Sequence, residues 1–145
     1  EMNEEIINQH NEIVKPEDTT IHIGDFTLRT TREADNFIRR LKGVHIFLRG
    51  SHDKWLDSDY HEIWEGDIEG QHIVCCHYAM RVWAQSHYNS WHLFGHSHGK
   101  LREVGKQLDV GVDTHAFYPY SFDEIASIMS TKEDNFNLIK KYENK

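Results

Sequence analysis

The runs "TIHI", "VHIFL", "HIVCC" and "WHLF" each stop abruptly at polar residues: "GD", "RGSHD", "HY" and "GHSH". Short apolar runs bounded by turn residues read as buried strands. Four such strands that all end in groups able to bind metal or move protons restrict the fold more than any other feature. Between them lie amphipathic stretches. "EMNEEIINQHNEIVK" sets Met2, Ile6, Ile7, Ile13 and Val14 at helical spacing, and Pro16 ends it. "TTREADNFIRRLKG" presents Ala34, Phe37, Ile38 and Leu41 on one helix face; Thr30 and Glu33 match a capping box, and Gly43 suits the position past the end. "HEIWEGDIEGQHIVCCHY" reads as two strands around a turn near Asp67 to Gly70, and "KQLDVGVD" as a further strand. "YSFDEIASIM" opens a helix with Ser121 and Glu124 as a second capping box. The tail, with Phe136, Ile139 and Tyr142 roughly aligned, reads as a docked helix or a frayed end. Strands interleaved with helices and one hairpin predict an α/β domain with a mixed sheet or a pair of sheets.

A chain of 145 residues suits a single domain spanning 1–145. The formal charge of −8 argues against broad, charge-driven binding to nucleic-acid backbones, but allows a small phosphorylated partner once metal ions reverse the local sign. No apolar run approaches a membrane span, and no signal-peptide pattern is seen. Cys75 and Cys76 are adjacent and form no disulfide framework, which favours a reducing, cytoplasmic setting. Twelve histidines are an excess that directs attention to metal chemistry.

In α/β sheets the carboxyl ends of neighbouring strands open on a shared crevice. Asp25, the group Ser51, His52 and Asp53, then His77, and finally His96 and His98 all stand at such ends. In extended chain, residues i and i+2 point to one side, so His96 and His98 are expected to face the crevice together, with Gly95 and Gly99 easing close approach. One carboxylate with several imidazoles is a donor set for manganese, iron, zinc or nickel rather than calcium.

The ordered series "GD", "GSHD", an isolated His, then "GHSH" resembles the calcineurin-like metallophosphoesterase family, whose signature runs D-x-H, G-D, G-N-H-D/E, H, G-H-x-H. The match covers nearly the whole chain and looks most like the small bacterial and phage phosphoesterases. The resemblance implies a four-layer αββα sandwich, two divalent metal ions, and hydrolysis of a phosphomonoester or phosphodiester by a hydroxide bridging the metals. It implies that Asp25 bridges the ions, that His77 and His96 bind one of them, and that His98 binds the other. His52 would be the general acid, oriented by Asp53, and Arg81 would reach a phosphate oxygen. The substrate expected is a phosphorylated small molecule or nucleotide.

Two departures stand out. The family's opening D-x-H is missing, so the chain reads as N-terminally truncated relative to the family, its first strand absent. Asp113-Thr114-His115 reads as a chance match to that motif. The family asparagine is Ser51, a weaker ligand. The rival expectation is a catalytically degenerate relative that keeps the fold and binds metal or phosphate without turnover. A purely structural metal site is disfavoured, because adjacent cysteines on a strand point to opposite faces.

Overall fold

The computed structural model describes residues 2–24, 31–50, 60–111, 115 and 118–135. The described elements are α1 (Met2–Ile13), β1 (Thr19–Ile23), α2 (Thr31–Arg39), β2 (Val44–Leu48), β3 (Ile63–Ile68), β4 (Gln71–Cys76), β5 (Trp91–Phe94), β6 (Gln107–Asp109) and α3 (Phe122–Met129). They form a mixed α/β architecture with two sheets. One is the parallel pair β1–β2; the other is four-stranded in the order β3-β4-β5-β6. In the second sheet β3 runs antiparallel to β4, whereas β4–β5 and β5–β6 are parallel.

Local chemistry accounts for the joints. Pro16 follows α1 by three residues, and the Asp18 carboxylate accepts from the Lys15 N–H at 2.9 Å, closing the turn into β1. The β3–β4 hairpin turns at Glu69 (φ 50°) and Gly70 (φ 81°), both left-handed, as a two-residue hairpin loop matched to strand twist requires. Both bonds of the Ser121/Glu124 capping box are present. The Thr30/Glu33 box lies outside the described residues, as does the tail from 136. Gly43 is not the cap of α2, which ends at Arg39. Its φ of +100° instead sets up β2, where an added Cβ would lie 2.8 Å from the Asp18 carbonyl oxygen.

The core lies between the sheets. Leu48 from β2 packs with Ile73, Cys75, Trp91, Leu93 and Leu108 of the larger sheet and with Ile125 and Met129 of α3, while Ile21, Ile23 and Trp64 lean on this cluster. Truncating any of these buried aliphatics to alanine costs about 2–5 kcal/mol. Strand β5 is buried along its whole length, with Trp91 and Leu93 facing this core and His92 in ring contact with Trp83 and Phe94. Backbone bonds also tie the sheets together: His61 donates to the Phe47 carbonyl and accepts from the Arg49 N–H, each at 2.9 Å. On β1–β2, α1 is seated through His10, whose ring lies 6.5 Å from that of His22 and 5.8 Å from that of His45. No helix among the described residues is long and apolar enough to cross a membrane.

Candidate metal site at the strand carboxyl ends

His77 directly follows β4 and is 1% exposed. Its Nδ1 donates to the Ile23 carbonyl, the last of β1, at 2.9 Å. In the neutral ring that bond leaves the lone pair on Nε2, which faces Nδ1 of His96 at 3.2 Å. The seating of His77 Nδ1 against Ile23 is possible because Gly24 and Gly95 carry no side chain. A Cβ on Gly24 would lie 2.3 Å from His77 Nδ1 and 2.9 Å from the Gly50 Cα, and one on Gly95 would lie 3.3 Å from the Ile23 carbonyl oxygen.

Four strand ends therefore meet in one place. Gly24, which precedes Asp25, lies against the His77 ring and beside the backbone of Gly50, which precedes Ser51, His52 and Asp53; the turn carrying His96 is next to it. Asp25, Ser51, His52 and Asp53 themselves lie outside the described residues. His98, in the same turn as His96, is exposed. Arg81 is exposed as well, and its carbonyl accepts from Asn135 Nδ2 at 2.7 Å. His115 is engaged elsewhere: it pairs with Glu124 at 3.0 Å and stacks on Tyr120 at 4.0 Å.

One expectation is corrected. His96 and His98 do not share a face by strand alternation, because β5 stops at Phe94 and both residues are left-handed, at φ 69° and 52°. The chain there is a turn, held by the Asp109 carboxylate, which accepts from the Gly99 N–H at 2.8 Å and the Gly111 N–H at 3.0 Å. Non-glycine residues in this region are strained by roughly 1 kcal/mol or more and collect at functional sites. Asp109, 4% exposed, is a positioning residue that the sequence reading passed over. The clue available was an aspartate at the end of an apolar strand, the pattern already noticed at Asp25.

His92 was also missed. Completely buried within "WHLF", it donates from Nδ1 to the Val74 carbonyl at 3.0 Å and accepts at Nε2 from the Met80 N–H at 2.9 Å. Burial holds its pKa below the ordinary histidine value, so it stays neutral and keeps both bonds.

The donor set fits a divalent cation in two respects. Two nitrogens bound to one ion at about 2.0–2.1 Å stand roughly 2.8–3.0 Å apart at an octahedral angle and roughly 3.3–3.4 Å at a tetrahedral one, values that bracket the His77–His96 spacing. A ligating histidine also commonly donates its other N–H to a backbone carbonyl, as His77 does to Ile23. Among the described residues, no three His, Cys, Asp or Glu side chains gather as a metal-binding group. His77 and His96 therefore form a pair of neighbouring imidazoles whose spacing is compatible with a shared ion.

No protein-family model matches the chain. A relative is the uncharacterized protein MJ1445 of Methanocaldococcus jannaschii, 24% identical over 138 residues that cover 89% of this chain and 76% of that protein. A similar solved structure is that of AQ665, a protein of unknown function from Aquifex aeolicus, with TM-score 0.63, 22% identity, and coverage of 87% of this chain and 84% of that one. This likeness speaks for the fold.

Proposed function

We propose that this chain is a metal-dependent phosphoesterase of the calcineurin-like type, built as a four-layer αββα sandwich in one domain and working in the cytoplasm on a phosphorylated small molecule or nucleotide. The single observation that carries the reading is the His77 Nε2 to His96 Nδ1 approach of 3.2 Å, at the point where the backbones leading to Asp25 and to Ser51–Asp53 arrive. The residues that would hold two divalent ions (manganese, iron, zinc or nickel) are Asp25, His77, His96 and His98, with Ser51 as a weak further ligand. When bound, such ions lower the pKa of water and neutralise charge on the phosphoryl oxygens.

The chain's own residues supply the rest. The Ile23 carbonyl fixes the His77 tautomer, and Asp109 fixes the turn bearing His96 and His98. His52 gives its proton to the leaving oxygen, a role suited to an imidazole near neutrality, and Asp53 orients it. Arg81 meets a phosphate oxygen. Ser51, in place of an amide ligand, favours a second reading, a degenerate relative that binds metal or phosphate without turnover.

Metal analysis coupled to turnover of p-nitrophenyl phosphate and bis(p-nitrophenyl) phosphate in added Mn²⁺ separates the two. The expected result is hydrolysis of at least one ester, joint loss of metal and turnover in His96→Ala, and a 10²-fold or greater loss of turnover with metal retained in His52→Ala. Bound metal with no hydrolysis selects the degenerate relative. A wild-type protein that takes up no divalent ion and binds no inorganic phosphate removes both.

A further inference from the structure

Tyr78 stands at the rim of the His77–His96 pair with 47% of its surface in solvent. Its ring meets His77 at 4.8 Å and 78°, and His96 at 4.9 Å and 61°, so its orientation is set from the side of the candidate site. An exposed aromatic is ordinary by itself. What sets this one apart is the way the next residues are held.

Residues 77–90 contain neither helix nor strand, yet the backbone following Tyr78 is gripped by three buried polar side chains from distant elements. His92 Nε2 accepts from the Met80 N–H at 2.9 Å, Gln107 Nε2 donates to the Met80 carbonyl at 2.5 Å, and Asn135 Nδ2 donates to the Arg81 carbonyl at 2.7 Å. The exposures of these three are 0%, 3% and 0%. Asn135 is itself seated by its N–H on the Ser86 carbonyl at 3.1 Å and by Gly105, where a Cβ would meet it at 2.8 Å. Burying a polar side chain is unfavourable unless its bonds are made, so three that each spend a bond on two residues of one loop mark a segment whose shape matters. Sites that recognise ligands are held in this way, by supporting bonds behind the contacting groups.

We infer that Tyr78 is a specificity-determining residue of the proposed phosphoesterase site. Its exposed ring would stack on a flat ring in the organic part of the ester, an aryl group or a nucleobase, while Arg81, exposed on the same pinned segment, would meet the phosphate. The inference rests on the phosphoesterase reading for the phosphate end of the ligand. Stacking of bases and aryl rings on protein aromatics is strong enough to shift affinity tenfold or more.

The test uses the Mn²⁺-loaded full chain with three probes: adenosine 5′-monophosphate, phenyl phosphate and glycerol 2-phosphate. Binding is followed by calorimetry and hydrolysis by phosphate release, with melting temperature and metal content recorded for each variant. The wild type is expected to prefer both ring-bearing probes over glycerol 2-phosphate. That preference should fall at least tenfold in Tyr78→Leu and return in Tyr78→Phe. Preference for the nucleotide alone identifies a nucleobase as the stacked group, and equal preference for phenyl phosphate identifies a general aryl platform. Hydrolysis of all three with a selectivity that Tyr78→Leu leaves intact overturns the inference and spares the phosphoesterase reading. Ring-selective binding without hydrolysis does the reverse, and no binding of any probe ends both.

Discussion

At the residue scale, histidines in this chain do different work according to what surrounds them. His22, His45 and His10 form a seam between α1 and β1–β2. His22 Nε2 lies 2.9 Å from His45 Nδ1, and His10 Nε2 donates to the Lys42 carbonyl at 2.9 Å. Burial, then the neighbouring His45 and His10, push His22 down to about 3, and burial also lowers His10. The sign follows directly. As pH falls below the ordinary histidine value near 6.5, the unfolded chain takes up a proton that the fold refuses, so stability present above that pH is lost progressively on the way down to about 3. Between pH 7 and pH 5, His22 should cost the protein on the order of 1–2 kcal/mol. Urea unfolding at both pH values should show a shallower acid loss in His22→Gln than in the wild type, and equal slopes would remove His22 from the account. His72 leans the other way: hydrogen bonds to Asp67 and then Glu65 raise its pKa. Its contribution is present below the unfolded value and fades as pH rises, and it is small because both carboxylates are exposed. The thiol of Cys75, pushed up to about 12 by burial and by Cys76, is part of the core rather than the chemistry.

At the scale of elements, what decides the site is where strands stop. β1 stops at Ile23, whose carbonyl holds His77, and Gly24 turns the chain away at φ +86° in a space that admits no Cβ. Gly70 has nearly the same φ, +81°, but nothing lies within 4 Å of its would-be Cβ. The pair separates two causes. Gly70→Ala should lose about 1 kcal/mol from backbone strain alone. Gly24→Ala adds contacts at 2.3 Å and 2.9 Å on His77 and Gly50, and should lose about 3 kcal/mol. Denaturant midpoints of the two variants check this, and similar losses would mean that the strand ends are looser than their contacts require.

At the scale of the whole molecule, the sheets are joined by the apolar layer around Leu48, by the bridge at His61, and by the meeting of strand ends at His77. An ion at the proposed site would bind the fold and not the unfolded chain, and so would add stability by mass action. At a free Mn²⁺ concentration of about 100 times Kd the gain should be about 2.7 kcal/mol, reversed by chelator. Melting curves with Mn²⁺ and then with EDTA measure it, and His77→Ala should show no Mn²⁺ response. A response of the same size in that variant would put the ion somewhere else.

Much of the architecture was legible because its causes are local. Apolar runs and helical spacing marked the strands and helices of the described residues, Pro16 ended α1, and Ser121 and Glu124 cap α3 with side chains three residues apart. The collection of polar motifs at strand ends was legible for the same reason. The arrangement of those motifs was not. Whether His96 and His98 continue a strand or enter a turn depends on Asp109, held in place by β6, and the rim beside them depends on His92, Gln107 and Asn135. Hydrogen bonds between residues far apart in the chain leave no periodic trace in it. By itself, then, the sequence determined which segments are extended or helical and which residue types lie at their ends. Only the tertiary structure decided which ends meet, because a contact across tens of residues is selected by the packing of the whole core and not by any neighbour in the chain.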